Sequence, residues 1–204
     1  GSFVNRENFK ELLNDVNFSS TNFFIDEAFI DFIKNGEDLS FKHFESDRVI
    51  IIRAFTKFFG IPGLRLGYSI CYNKKWVSTA NNLKEPWTIN TFAASCGEIL
   101  LNSNKYIEKT YKTLEKEKNR MLNGLKKIEN IQVFKSESNF LLIKLMEISG
   151  TELYNKLLEK GFLIRRCENF NFLDDSYVRI AIKDKKSNKN FIKAINKITK
   201  NRNV

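Results

Sequence analysis

Proline, histidine and cysteine are scarce in this chain, and each shortage removes a class of function. The three cysteines, Cys71, Cys96 and Cys167, are odd in number and lack the paired spacing of metal ligands. They read as reduced thiols of a cytoplasmic protein, with neither a disulfide framework nor a zinc or other metal site. The single histidine, His43, lies in a polar, charged stretch and reads as a surface residue. Only two prolines occur, at 62 and 86, so the segment from Thr91 to Lys127 runs without a helix breaker. No apolar run reaches the roughly 18–20 residues of a membrane span, so no membrane partner is expected. Zinc-finger, RNA-recognition and basic-zipper signatures are missing as well.

What is present is enough for a substantial core. The 204 residues are 42% hydrophobic and include 19 phenylalanines, which excludes a disordered chain. The net charge of +10 raises nucleic-acid binding as an alternative. The distribution of charge argues against it: Lys105, Lys109, Lys112 and Lys116 interleave with Glu108, Glu115 and Glu117, and the C-terminal lysines spread around helix faces. Solvated helix surfaces are the expected outcome, with no nucleic-acid partner.

The pattern along the chain predicts an α/β protein. Phe9, Leu12 and Leu13 at helical spacing predict an amphipathic helix over 5–15. Asn22–Glu27, Arg48–Phe55 and Leu66–Tyr72 are short apolar runs without alternation. Such runs suit a mostly parallel sheet covered on both faces, with ligands at the carboxyl ends of its strands, where Asp26 and Lys57 fall. Thr91–Lys127 predicts one long helix or two in line. Beyond it, strands at 132–135, 139–145, 162–166 and 177–182 with helices at 150–160 and 187–199 predict a smaller α+β domain. The expected division is 1–110, part of a larger domain, and 111–204, the small domain.

The segment Ala54-Phe55-Thr56-Lys57-Phe58-Phe59-Gly60-Ile61-Pro62-Gly63-Leu64-Arg65-Leu66-Gly67-Tyr68 carries the most chemical information. A lysine follows a predicted strand and precedes a loop with three glycines and an arginine. That arrangement can hold an amine against a phosphorylated aldehyde, with the arginine and loop amides facing the phosphate.

This segment resembles the cofactor-lysine loop of fold-type I pyridoxal-phosphate enzymes, and Phe24–Phe32 resembles their strand with the pyridine-nitrogen aspartate. Pro86-Trp87-Thr88-Ile89-Asn90, Phe29 where aminotransferases carry tyrosine, and Ile164–Phe170 followed by Tyr177–Ile182 resemble the threonine-phosphate decarboxylases, relatives of histidinol-phosphate aminotransferase. The resemblance implies pyridoxal 5′-phosphate as cofactor. It makes Lys57 the Schiff-base lysine and Asp26 the partner of the ring nitrogen, the two catalytic residues. Arg65 and Thr56 join them as phosphate contacts, while Ala54 replaces a usual Ser or Thr. Arg165 and Arg179 become the holders of the substrate's second anion and carboxylate, and Asn169, with Asn139, lines the same region. Arg166 is structural or solvated, and Trp87 belongs to a core or a subunit interface. The implied reaction is decarboxylation of L-threonine O-3-phosphate to 1-amino-2-propanol phosphate in cobalamin biosynthesis, by a cytoplasmic homodimer. A histidinol-phosphate-type aminotransferase and a non-catalytic module of the same fold stay open as alternatives. The resemblance covers only the second part of a family member, with Gly1 near a family Asn-Pro-Thr-Gly turn. A fragment of this kind is expected to be inactive alone and to leave sheet surface exposed.

Overall fold

Burial alternates along the strand Val49–Ala54: Val49, Ile51 and Arg53 are buried, while Ile50, Ile52 and Ala54 are not. This period of two marks a strand with one buried face, and pairing on both edges makes it the centre of a three-stranded sheet, order β1-β2-β3, with β1 at Phe23–Asp26, β2 at Val49–Ala54 and β3 at Gly67–Cys71. The computed structural model describes residues 1–200, which divide into two units, Phe3–Ile107 and a second from Glu108 onward that includes Gly1–Ser2.

In the Phe3–Ile107 unit, β1 and β2 are parallel, with Asp26 opposite Ile52. β3 returns antiparallel, pairing Ala54 with Gly67 and Arg53 with Tyr68. The sheet portion held by this chain therefore has one parallel and one antiparallel pair. The reason is the connection: residues 55–66 hold only short helical turns, too little for a crossover helix to carry the chain back alongside β2.

Helix α1 (Arg6–Asn14) is capped by Asn5, whose side chain accepts from the Glu7 amide. It buries Phe9 and Leu13, while Leu12, expected on the same face, is exposed. Phe9 meets Phe41 edge-on with ring centroids 4.8 Å apart, and Phe23 at 5.2 Å. Short helices α2 (Gly36–Leu39) and α3 (Phe55–Phe58) follow β1 and β2 respectively. Helix α4 (Lys74–Leu83) was not legible as a core helix, since none of its residues is buried; its start is marked by Asn73, which accepts from the Trp76 amide at 3.1 Å.

The long proline-free stretch forms two helices, α5 (Thr91–Leu101) and α6 (Asn104–Leu125). Polar side chains interrupt it: Ser103 Oγ donates to Ile99 O at 2.7 Å and Asn102 Nδ2 to Glu98 O at 3.0 Å, competing with the helix ladder. The boundary between the units falls within α6.

The second unit is an antiparallel sheet, order β4-β5-β7-β6, with helices α7 (Gly150–Leu158) and α8 (Lys185–Lys200). Its strands are β4 (Ile131–Val133), β5 (Phe140–Leu145), β6 (Arg165–Arg166) and β7 (Tyr177–Ala181). Leu141, Ile143 and Leu145 of β5 pack with Val178 and Ile180 of β7, Met121 and Leu125 of α6, Leu153 and Leu157 of α7 and Ile195 of α8. β6 is shorter than the expected 162–166 strand because α7 ends through Gly161 at φ 77°, and the Phe162 amide still donates to Leu157 O.

Candidate active site

Two strand ends bring the first candidates together. Asp26 is the last residue of β1, exposed, and its Oδ1 accepts from the Ala28 amide at 2.8 Å, closing a turn of the kind aspartate favours. The parallel ladder ends one step later, where the Glu27 amide donates to Ile52 O at 2.8 Å. β2 then runs into α3, whose N-cap, Ala54, has no side-chain hydrogen bond to offer. Thr56 is buried and Lys57 exposed on that single turn. The Lys57 amine stands 5.9 Å from the ring centroid of Phe29, and among the described residues it has no ion-pair partner.

The loop after Lys57 is shaped by left-handed backbone. Gly60 has φ 65°, and Arg65, a non-glycine residue, sits at φ 54° at the end of the short turn Pro62–Leu64. Arg65 Nη1 donates to Pro62 O at 2.9 Å. Asn90 ties the loop down: its Nδ2 donates to Leu64 O at 3.1 Å while its Oδ1 caps α5 at the Ala93 amide. The Pro86–Asn90 run therefore contributes its asparagine, whereas Trp87, at φ 56° and 93% exposed, is no core residue of this chain. His43 lies on the surface, its Nε2 3.2 Å from Glu37 O.

Behind Asp26 and Lys57 lies a charged cluster that the sequence pattern did not single out. Arg53 Nε donates to Glu27 Oε2 at 2.9 Å and Nη1 to Glu37 Oε2 at 2.6 Å, with Lys42 also bonded to Glu37. Burial opposes the guanidinium charge, and Glu37, Tyr68 and Glu27 outweigh it, raising its pKa above the usual value. Arg53 Nη2 is a buried donor unpartnered among the described residues. Burial likewise disfavours ionised Glu37, but hydrogen bonds from Lys42 and Arg53 hold its carboxyl below the usual range. The signal in the sequence was an arginine inside an otherwise apolar strand.

In the second unit, Arg165 on β6 and Arg179 on β7 are direct cross-strand neighbours. Like charges in that position repel, an arrangement that invites an anion. Arg165 Nη2 donates to Asn169 Oδ1 at 2.9 Å, and the Arg179 guanidinium lies 4.8 Å from the Phe140 ring centroid. Arg166 turns to other partners, Thr151 Oγ1 at 2.8 Å and Glu168 at 2.9 Å. Asn139 accepts from Ser138 Oγ at 3.2 Å. Burial raises the nearby Cys167 thiol above its ordinary pKa, although Arg179 and Arg165 pull it down.

Residues 1–195 match the profile of aminotransferase class I and II. This chain belongs to that family. A protein of Caldanaerobacter subterraneus subsp. tengcongensis, provisionally named a threonine-phosphate decarboxylase, is 37% identical over 96% of this chain and 53% of its own length. The threonine-phosphate decarboxylase of Salmonella typhimurium is 31% identical over 85% of this chain and 47% of its own. The crystal structure of the histidinol-phosphate aminotransferase from Clostridium acetobutylicum superposes with a TM-score of 0.93 at 40% identity, covering 98% of this chain and 61% of that one. The fold is thus the α/β fold of type I pyridoxal-phosphate enzymes. The chain spans about half the length of the curated relatives it matches.

Membership of the aminotransferase family indicates pyridoxal 5′-phosphate as the cofactor. The donor set fits it: an exposed carboxylate at the end of β1, an amine without a salt-bridge partner after β2, and a guanidinium on a loop with left-handed backbone. No helix of the described residues is long and apolar enough to cross a membrane.

Proposed function

We propose that this chain carries the cofactor residues and substrate arginines of a pyridoxal-phosphate enzyme that decarboxylates L-threonine O-3-phosphate. The product is 1-amino-2-propanol phosphate, a building block for cobalamin biosynthesis. The observation that carries the reading is the placement of Asp26 at the carboxyl end of β1 and of Lys57 on the turn that follows its parallel neighbour β2. Asp26 keeps the ring nitrogen protonated, because an adjacent carboxylate favours the charged form. Lys57 would hold the cofactor aldehyde through its amine. Arg65 and the Thr56 hydroxyl hold the phosphate, Arg65 by a charge-assisted contact that lysine would not reproduce. When bound, the cofactor would supply an electron-withdrawing ring for the electron pair left at Cα as the carboxylate departs as CO2, until a proton returns to Cα. Arg179 holds the substrate carboxylate and sets which bond at Cα breaks; Arg165, steadied by Asn169, holds the substrate phosphate.

Names of two relatives support the decarboxylase, as does Phe29, which stands where aminotransferases carry a tyrosine able to donate to the cofactor's ring oxygen. A second reading, histidinol-phosphate-type aminotransferase, draws on the 40% identity to the Clostridium acetobutylicum enzyme. The working assembly in this proposal is a cytoplasmic homodimer of the full-length protein. The test gives full-length protein pyridoxal phosphate and L-threonine O-3-phosphate and follows CO2 and amino-group transfer in parallel. CO2 release that vanishes in Lys57→Ala supports the decarboxylase. Transfer to a 2-oxo acid without CO2 establishes the aminotransferase instead.

A further inference from the structure

The Glu27–Arg53 ion pair has no part in the chemistry above, yet it sits one residue from Asp26 and four residues from Lys57. Both side chains are 4% exposed. We propose that this pair is the positioning device of the cofactor site, fastening the carboxyl ends of β1 and β2 so that the Asp26 carboxylate and the Lys57 amine stand in fixed relation. The inference rests on the reading of Asp26 and Lys57 given above.

The backbone needs such a fastening where it is found. The parallel ladder stops at the Glu27 amide, so beyond it no strand hydrogen bond relates Asp26 to the turn bearing Lys57. Because side chains alternate along a strand, Asp26 and Glu27 leave on opposite faces, one to the exposed side and one to the interior. Both oxygens of Glu27 are engaged: Oε2 accepts from Ser40 Oγ at 2.8 Å and Arg53 Nε at 2.9 Å, and Oε1 accepts from the Phe41 amide at 2.7 Å. Arg53 is held in turn by Glu37. The neighbouring strand leaves no slack, since a Cβ added to Gly67 would lie 2.8 Å from Arg53 O. A buried ion pair with one donor unpartnered is a poor way to stabilise a fold, because apolar residues of similar volume commonly do as well or better. What it does well is fix geometry, and displacements below an ångström matter where bonds are to be aligned.

The test uses full-length protein and the double variant Glu27→Gln/Arg53→Met, which removes both charges together and so strands neither. Three quantities are read: the melting temperature, the affinity for pyridoxal phosphate, and the pH midpoint of the Lys57–cofactor absorbance. Borohydride trapping identifies the modified lysine. The double variant is expected to melt near the parent, bind the cofactor about tenfold more weakly and shift the midpoint by about one pH unit. Arg53→Lys, which keeps the charge without the fork, is expected to fall between. Parental affinity and midpoint in the folded double variant overturn the positioning role alone. Should the double variant not fold, Arg53→Lys decides: a shifted midpoint supports the role, a parental one overturns it. Failure to trap Lys57 in the parent protein overturns the cofactor reading, and the positioning role with it.

Discussion

The two units of this chain close their cores to very different degrees. In the unit that begins at Glu108, mostly aliphatic residues from three strands (β4, β5 and β7) and three helices pack into one cluster whose centre is fully buried. In Phe3–Ile107 the buried cluster is small and mixed, built from Phe9 and Phe41 with Leu13, Val49 and Ile51. The other face of its sheet is open. Phe24 is 67% exposed and Ile52 44%, and a cleft of about 720 Å³ lies over Ile50, Ile70, Trp76 and Val77. The unit that bears the candidate cofactor residues is thus the one whose sheet has an uncovered apolar face. The chain's coverage of only half its relatives' length accords with that. The difference teaches that candidate cofactor residues can sit on well-formed strand ends and turns in a unit whose core is less closed than that of its neighbour.

Substitutions can break or sharpen this contrast. The largest expected effect is Lys57→Ala in the full-length protein: the borohydride-trapped adduct disappears entirely, while melting shifts little because the side chain is exposed. Mass spectrometry of the reduced protein and a thermal melt check both halves. Next comes Leu153→Ala in the closed core, which is fully buried on α7 and should lose about 2–5 kcal/mol in denaturant titration. Ile52→Ala on the open sheet face is its counterpart and should stay within about 0.5 kcal/mol. Equal losses at the two positions would erase the distinction between the units.

A smaller effect is expected at the glycines of the lysine loop. Gly67→Ala meets Arg53 O and forces β3 away from β2, whereas a Cβ at Gly63 finds open space. Weaker cofactor binding in Gly67→Ala alone, read by titration, is the expected outcome; equal weakening by Gly63→Ala would refute the close-approach argument. The smallest effect is a pH dependence in the second unit. Burial opposes the charge of Glu117, but hydrogen bonds from Asn188 and Arg120 outweigh it and hold the carboxyl below its ordinary 4.5. A folded pKa below the unfolded one means its stabilisation is full above about pH 4.5 and is lost as pH falls through the folded value. Glu117→Gln should therefore flatten the acid limb of a stability-versus-pH curve.

Legibility followed the physics of each element. The positions of Lys57, Asp26 and the glycine loop, at a strand end and on turns, were readable because each is set by a short stretch of chain. Strands β1, β2, β5 and β7 were readable from apolar runs, and α1 from its period, although Leu12 was misplaced on the buried side. Helix α4 was not legible, since it buries none of its residues and shows no core stripe. The break between α5 and α6 rests on side-chain competition at Asn102 and Ser103, which hydrophobic pattern does not record.

By itself, the sequence determined the chemical inventory and the family, because residue types at short fixed spacing are what both consist of. The antiparallel return of β3, the Glu27–Arg53–Glu37 cluster behind the site and the side-by-side Arg165 and Arg179 were decided only by tertiary structure. Each joins residues far apart in the chain, and strand register and burial, which no local pattern specifies, determine whether they meet.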